Sequence, residues 1–181
     1  MMTDEAVTQS LHEQLFSDPD ANVFAVLDGA SIGRDLVVNL YEREVEFFCL
    51  FAGELEPDMA EVAPYVAQLE PESEFTQWVL GKGWGKHWGV FAAASEDIYQ
   101  MRGHFRGLVD VYDEDGKPLI FRFYDPRVLR AFLPTCNAQE LQEVFGPVAA
   151  YSMEAEDPAV LLSFATEGGD LRKHEVRLAR S

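Results

Sequence analysis

The fold is decided by the stretch Val23-Phe24-Ala25-Val26-Leu27-Asp28-Gly29. Its five apolar residues follow one another without a polar interruption, and Asp-Gly then ends the run. An unbroken apolar run of this length is typical of a strand buried on both faces, as in a parallel sheet. Residues 47–51 repeat the pattern and are closed by Ala52-Gly53. We therefore predict two buried strands of a largely parallel sheet.

Helical patterns alternate with such strands along the first two thirds of the chain. Val7, Leu11 and Leu15 form one apolar stripe of an amphipathic helix, which Pro19 helps to stop. The predicted helices cover residues 3–16, 36–41, 57–62, 73–80 and 95–106, and the further strands cover residues 65–69 and 87–93. Ser73 and Ser95 are the expected N-caps of the last two helices. This alternation favours βαβ units.

The pattern changes at residue 108. Residues 108–112 and 119–124 flank a turn-forming cluster at 113–118, which predicts a hairpin and makes the sheet mixed. Two helices follow, one starting at Asp125-Pro126 and one at Asn137, whose partner Glu140 completes a capping box. The last strands are predicted at 148–153 and 160–178.

The predicted fold class is α/β. We expect a single three-layer-like domain with a mixed, partly parallel sheet, helices on both faces and a C-terminal β-hairpin. The chain divides into an N-terminal helix and linker (1–22), an α/β domain (23–148) and a short C-terminal strand extension (149–181).

Charge and composition restrict the partners. Residues 1–75 hold 17 acidic and 2 basic side chains, so they carry −15 of the net charge of −18. Nucleic acid and anionic lipid are poor partners for such a surface, whereas a basic protein segment would be steered toward it. Solubility is the alternative role for the acidity. No stretch is apolar enough to span a membrane, and the N-terminus lacks the features of a secretion signal, so we expect a cytoplasmic protein.

The titratable and nucleophilic residues show no pattern of a catalytic or metal site. Cys49 and Cys136 form no CxxC, and we expect a buried thiol at Cys49. The histidines lack ligand spacing, and no serine sits in a G-x-S-x-G elbow. Asp28 ends the first strand, where it either carries catalysis or a metal, or caps the next helix. Capping is the commoner use, and we predict neither a catalytic nor a metal site.

The glycine-tryptophan stretch Gly81-Lys82-Gly83-Trp84-Gly85-Lys86-His87-Trp88-Gly89 is the most unusual segment. Glycines allow a backbone to approach a phosphate closely, but the phosphate fingerprints need a strand before the glycines, and here a helix precedes them. We therefore interpret Trp84 and Trp88 as packing residues or as anchors of a protein interface.

The arginine-aromatic segment Phe121-Arg122-Phe123-Tyr124-Asp125-Pro126-Arg127 is the second unusual feature. Strand alternation predicts that Arg122 and Tyr124 face away from Phe121 and Phe123. Asp125 can cap the helix and pair with Arg122 or with Arg127. The segment is therefore either a corner locked by a salt bridge or a surface that holds a partner.

Taken together, several segments resemble one family. They are Val26-Leu27-Asp28-Gly29-Ala30, Leu50-Phe51-Ala52-Gly53, Ala63-Pro64-Tyr65, Gly83-Trp84-Gly85-Lys86-His87-Trp88-Gly89, Phe121-Arg122-Phe123-Tyr124-Asp125-Pro126-Arg127-Val128-Leu129 and Phe145-Gly146-Pro147-Val148. The chain resembles, over about residues 23–148, the effector adaptors (chaperones) of bacterial type VI secretion, often called Tap or TEC proteins. The FRFYDPRVL segment is the most specific element.

This resemblance implies a non-enzymatic protein that loads a toxic effector onto the VgrG spike inside the producing cell, without a cofactor. Its partners would be the effector and VgrG. The candidates for partner binding or for locking the domain are Trp84, Trp88, Arg122, Tyr124, Asp125 and Arg127. Many similar proteins carry a larger C-terminal lobe, whereas only residues 151–181 follow the matching region here. If that lobe usually holds the effector, this chain would use its sheet edge or its tail strands, or serve only in spike recognition. Strand addition at an exposed sheet edge is the binding mode to test first.

Two alternatives stay open. An immunity-type inhibitor would cover the basic active site of a toxin with the acidic face. A hydrolase would use Asp28 and Asp125.

Overall fold

The computed structural model describes residues 3–180. The helices are α1 (Glu5–Leu15), α2 (Gly29–Ile32), α3 (Arg34–Glu42), α4 (Pro57–Val62), α5 (Glu74–Gly83), α6 (Ile98–Val109), α7 (Pro126–Phe132) and α8 (Ala138–Phe145). The strands are β1 (Asn22–Asp28), β2 (Phe47–Cys49), β3 (Pro64–Leu69), β4 (Gly89–Ala94), β5 (Asp110–Tyr112), β6 (Pro118–Ile120), β7 (Ala150–Glu154), β8 (Val160–Glu167) and β9 (Asp170–Arg177). A short 3-10 helix, Leu133–Thr135, follows α7.

The main sheet has seven strands in the order β2-β3-β1-β4-β7-β8-β9. Each strand pair in it is antiparallel, so the predicted parallel sheet is wrong. The strand β1 lies between β3 and β4 and is buried from Val23 to Asp28. A central antiparallel strand covered on both faces has the same unbroken apolar sequence as a parallel one, and this caused the error.

Two hydrophobic clusters lie on opposite faces of β1. Phe24 and Val26 belong to the first cluster, together with buried residues of α6, α7 and α8. Val23, Ala25 and Leu27 belong to the second, together with buried residues of α1, α3 and α5. The coarse class, mixed α/β, is confirmed. The regular three-layer arrangement is not supported, because β7, β8 and β9 follow one another as antiparallel neighbours without helices between them.

Several local predictions are confirmed. Ser73 accepts a hydrogen bond from the N–H of Thr76, Asp125 caps α7, and Asn137 forms the capping box with Glu140. The N-cap of α6 is Asp97 instead of Ser95, because Gln100 completes a capping box with it. The C-terminal hairpin is formed by β8 and β9.

The hairpin predicted after residue 108 forms a separate two-stranded sheet of β5 and β6. It is shorter than predicted, since α6 continues to Val109 and β6 ends at Ile120. The hairpin does not join the main sheet, so it does not make that sheet mixed. At the other end of the described region, β7 pairs with β4 and thereby places the C-terminal strands in the main sheet. Within residues 3–180, no helix has the length and apolarity to cross a membrane.

Candidate functional site

Three interior strands of the main sheet, β1, β4 and β7, have neighbouring termini, and the two unusual segments meet there. We call this place the strand-end site. Asp28 is the last residue of β1, Gly89 is the first of β4, and Glu154 is the last of β7. The N–H of Asp28 donates to the carbonyl of Trp88 at 2.8 Å, which extends the pairing of β1 with β4 beyond Gly89. Residues 84–88 contact Glu154 at this strand-end site, and residues 121–127 contact Asp28 there.

Asp28 lies at the centre of the strand-end site and is buried, with 1% of its surface exposed. Its carboxylate accepts hydrogen bonds from the N–H of Ala30 at 3.0 Å and from the hydroxyl of Ser31 at 2.9 Å, and so caps α2. It also forms an ion pair with Arg122, whose side chain is 47% exposed. The capping interpretation of Asp28 is therefore confirmed. The partner of Arg122 is a residue at the end of β1, and not Asp125 as one of the sequence alternatives had it.

Asp125 pairs with the other arginine. It accepts hydrogen bonds from the backbone N–H of Arg127 at 2.9 Å and from its guanidinium Nε and Nη2 at 3.1 and 2.9 Å. Burial raises the pKa of Asp125, but the hydrogen bonds from Arg127 outweigh it and leave the pKa below its usual value. The Arg127 side chain stays 53% exposed. The predicted N-cap and one of the two predicted pairings are thus confirmed.

Tyr124 differs from its prediction. It is buried, as is Phe123, because β6 ends at Ile120 and the chain then turns toward α7, so strand alternation no longer applies. The guanidinium of Arg122 lies 5.9 Å from the centre of the Tyr124 ring. Burial, followed by the nearby Asp28 carboxylate, raises the pKa of Tyr124. Tyr124 is therefore a packing residue, and its buried ring lies next to the guanidinium of Arg122.

The two candidate tryptophans have different surroundings. Trp84 is 8% exposed, and its indole N–H donates to the carbonyl of Pro158 at 2.7 Å. Trp88 is half-buried and contacts the Trp78 ring at a centroid distance of 4.8 Å, with the ammonium of Lys86 at 5.9 Å from the Trp88 ring. Trp84 thus anchors the loop to the turn before β8, and Trp88 presents part of its ring to solvent.

Glu154 is a residue of this site that the sequence reasoning missed. It is buried, and its carboxylate accepts from the N–H of Gly85 at 2.7 Å and from the N–H of His87 at 3.1 Å. Both donors lie in a loop with positive φ, 80° at Gly85 and 59° at His87. A positive φ is unfavourable for His87, so the carboxylate stabilises a strained loop. The sequence pattern that could have indicated Glu154 is an acidic residue directly after a predicted strand, which ends at Met153.

Glu154→Gln is expected to lower the free energy of unfolding by about 2 kcal/mol, because the two N–H donors lose a charged acceptor. Urea denaturation followed by tryptophan fluorescence measures the change. The matched control is Glu156→Gln, since Glu156 is exposed two residues away and a surface change of this kind shifts stability by less than about 0.5 kcal/mol. Equal midpoints for the two variants would show that Glu154 does not hold the loop.

Residues 3–180 contain no group of three or more His, Cys, Asp or Glu side chains placed to hold a metal ion. Cys49 and Cys136 are free thiols and are partly buried, so the prediction of a buried Cys49 is only partly met. Burial raises the pKa of the Cys49 thiol and so favours its protonated form. The structure brings Arg122, Tyr124, Asp125 and Arg127 together around Asp28. It places Trp84 and Trp88 near the same strand-end site.

The model of a family described as a domain of unknown function (DUF4123) matches residues 23–143. No curated protein and no solved structure matches the chain. The matched region covers more than half of the chain and contains Asp28, residues 84–88 (the tryptophan loop) and residues 121–127. The chain belongs to the DUF4123 family.

Proposed function

We propose that the protein is an adaptor, or chaperone, that binds a type VI secretion effector and loads it onto the VgrG spike without catalysing a reaction. Two features support the proposal. The segments that resemble the Tap or TEC adaptors lie within or next to residues 23–143, the region matched by the family. The second feature is the surface that these segments form.

The observation that carries the proposal is the arginine corner, which we define as Arg122 and Arg127 with their buried partners Asp28 and Asp125. Each arginine side chain is about half exposed, while the side chain of its aspartate partner is almost fully buried. Arginine is enriched among the residues that dominate protein interfaces, and a side chain that is already oriented loses less entropy on binding. The corner therefore presents two oriented cations to a partner.

The charge of the remaining surface suits a protein partner. Residues 1–75 carry −15, and this field would steer a basic segment toward the molecule. Strand addition, the mode expected from the sequence, would use an outer strand of the sheet. The edge strand β9 has eight residues with many charged side chains, and β2 at the other edge has three residues. Charges on an edge strand disfavour pairing with another strand, so we place the contact at the arginine corner.

The test is co-purification of the protein with a C-terminal region of VgrG and with a toxin encoded next to its gene. We expect both complexes to form, and Arg127→Ala to weaken at least one of them roughly tenfold, since interface arginines often contribute this much. Arg172→Ala is the matched control, because Arg172 is an exposed arginine of β9 that pairs with Glu167 of β8. Loss of binding with Arg172→Ala alone would move the interface to the sheet edge. Absence of both complexes would refute the adaptor proposal.

A toxin-sensitivity assay and the geometry of the two aspartates distinguish the alternatives. An immunity-type inhibitor would protect cells that express this chain alone from the toxin, whereas an adaptor would leave them sensitive. For the hydrolase, the relevant fact is that Asp28 and Asp125 both cap helices and pair with arginines. Neither carboxylate is placed to take a proton from a substrate without losing these bonds. We therefore rank the hydrolase below the two binding functions.

A further inference from the structure

An open groove lies between helices α6 and α8 and the β5–β6 hairpin, on the far side of α6 from its buried stripe. Its volume is about 540 Å³. Most of its lining is apolar or glycine, with contributions from α6, the hairpin, α7 and α8. None of the candidate residues of the arginine corner lines it.

The floor of the groove is formed by Gly103 and Gly107 of α6. Residues four apart in a helix lie on the same face, so the two glycines form one smooth strip. Both are exposed, and a Cβ built on either one meets no atom within 4 Å. Packing within the described chain therefore does not require glycine here, although glycine disfavours the interior of a helix. Such a strip lets the backbone of another chain approach closely.

One wall of the groove is apolar and faces outward. Val111 of β5 lies opposite Leu119 of β6, so their side chains share a face of the hairpin. Phe121 continues that face two residues later, and its N–H donates to the carbonyl of Val109 at 2.9 Å. Val111 and Phe121 line the groove, and Leu119 remains 50% exposed. The wall thus offers apolar surface beyond what the chain itself covers.

The rim of the groove is acidic. Glu140 and Glu143 of α8 line the wall opposite the hairpin, and the residues that line the groove include neither lysine nor arginine. His104 also lines the groove, where burial lowers the pKa of its imidazole and favours the neutral form. An anionic membrane is repelled by such a rim, whereas lysine or arginine side chains complement it.

We infer that this groove binds an amphipathic helix of a partner protein, whose small and apolar residues pack on Gly103 and Gly107 and whose lysines or arginines meet Glu140 and Glu143. A helix is the occupant that fits, because the gap left by residues four apart on one helix accepts the ridge of side chains of another. The apolar wall of the hairpin covers the side of that helix, as in other helix-in-groove complexes. The inference deepens the adaptor proposal and depends on it only for the identity of the partner.

The direct test uses synthetic peptides and the full-length protein. The probe is a labelled 18-residue helix with alanine and leucine along one face and lysine on both flanks, and its binding is measured by fluorescence anisotropy at low salt. A second peptide has glutamate in place of each lysine, and a third has two central prolines that break the helix. We expect the lysine helix to bind at least tenfold more tightly than either of the other two. Equal binding of the lysine and glutamate helices, or no binding of the lysine helix, would overturn the inference.

A variant with both Gly103→Ala and Gly107→Ala separates binding from folding. Alanine favours the helix, so each change is expected to raise the melting temperature by about 2–4 °C. The two added methyl groups obstruct the floor, and we expect the lysine helix to bind at least tenfold more weakly. Gly81→Ala in α5 is the control, since a Cβ there also meets no atom within 4 Å. It should raise the melting temperature and leave peptide binding unchanged.

The two proposals can fail separately. Wild-type binding by the double alanine variant would place the peptide elsewhere and overturn the groove. Peptide binding that follows the expected pattern, together with no complex with effector or spike, would refute only the adaptor proposal.

Discussion

Gly89→Ala is expected to prevent stable folding. Gly89 lies in β4 opposite Leu27 of β1, and a Cβ at this position would stand 2.1 Å from the carbonyl oxygen of Val26 and 3.1 Å from the Cα of Leu27. Both contacts are with backbone at the centre of the main sheet, so no side-chain rotation relieves them. Separating β1 from β4 would disrupt both hydrophobic clusters. We expect a loss of at least about 4 kcal/mol, a large part of the 5–15 kcal/mol that stabilises a typical domain.

The soluble fraction after expression and the urea midpoint measure this effect. Gly81→Ala supplies the matched control again, because it lies eight residues away in α5 with open space around its Cβ. The control should fold normally. Cooperative urea unfolding of Gly89→Ala, with a midpoint close to that of Gly81→Ala, would show that the sheet adapts at β4. It would contradict the expectation that the close approach of β1 excludes a side chain at this position.

The glycines in and next to the tryptophan loop show what sequence reasoning can and cannot determine. The predicted order of helix, glycines and strand is confirmed. The sequence does not identify which group leaves no room for a side chain at a given glycine. In the structure it is the carbonyl of Val26 at Gly89 and the ring of Trp88 at Gly83. These partners come from pairing of β1 with β4 and from packing on α5, which no local pattern encodes.

The fold itself was predictable in part for a similar reason. The run from Val23 to Leu27 establishes that β1 is buried on both faces, and the structure confirms this. Strand direction depends on how the connections return to the sheet, and apolar composition does not determine it. Local signals were more reliable: the caps Ser73, Asp125 and Asn137 depend on residues within three positions.

The candidate site follows the same division. The pairing of Asp125 with Arg127 spans two residues and was among the predicted alternatives. The pairing of Arg122 with Asp28 spans 94 residues, and the bonds of Glu154 to the loop span 69 and 67. Both long-range contacts form because β1, β4 and β7 have neighbouring termini in the sheet. They become predictable only once the strand order is known.

Arg122→Ala is the second variant with a large expected effect. It removes the cation that faces the buried Asp28 carboxylate, and leaving a buried charge without its partner commonly destabilises a protein by 3–5 kcal/mol. We expect a loss of about 3 kcal/mol, at the lower end of that range, because Asp28 keeps its bonds from Ala30 and Ser31 and Arg122 is half exposed. Arg34→Ala is the control, since Arg34 pairs with Glu61 at the surface and should change stability by less than about 1 kcal/mol.

A double-mutant cycle with Asp28→Asn isolates the pair. The double variant should be more stable than the sum of the two single changes predicts, by about 1–3 kcal/mol, because the asparagine leaves no buried charge behind. Additive effects would show that the two side chains do not stabilise each other.

Asp28→Asn also tests how the arginine corner works. This variant keeps the Arg122 guanidinium and removes the charge that orients it. If orientation lowers the entropy lost on binding, the variant should bind effector or spike several-fold more weakly at temperatures far below its melting point. Full affinity in a folded Asp28→Asn protein would mean that the orientation of Arg122 matters only for stability, and the partner contact would then have to be carried by Arg127 or by the groove.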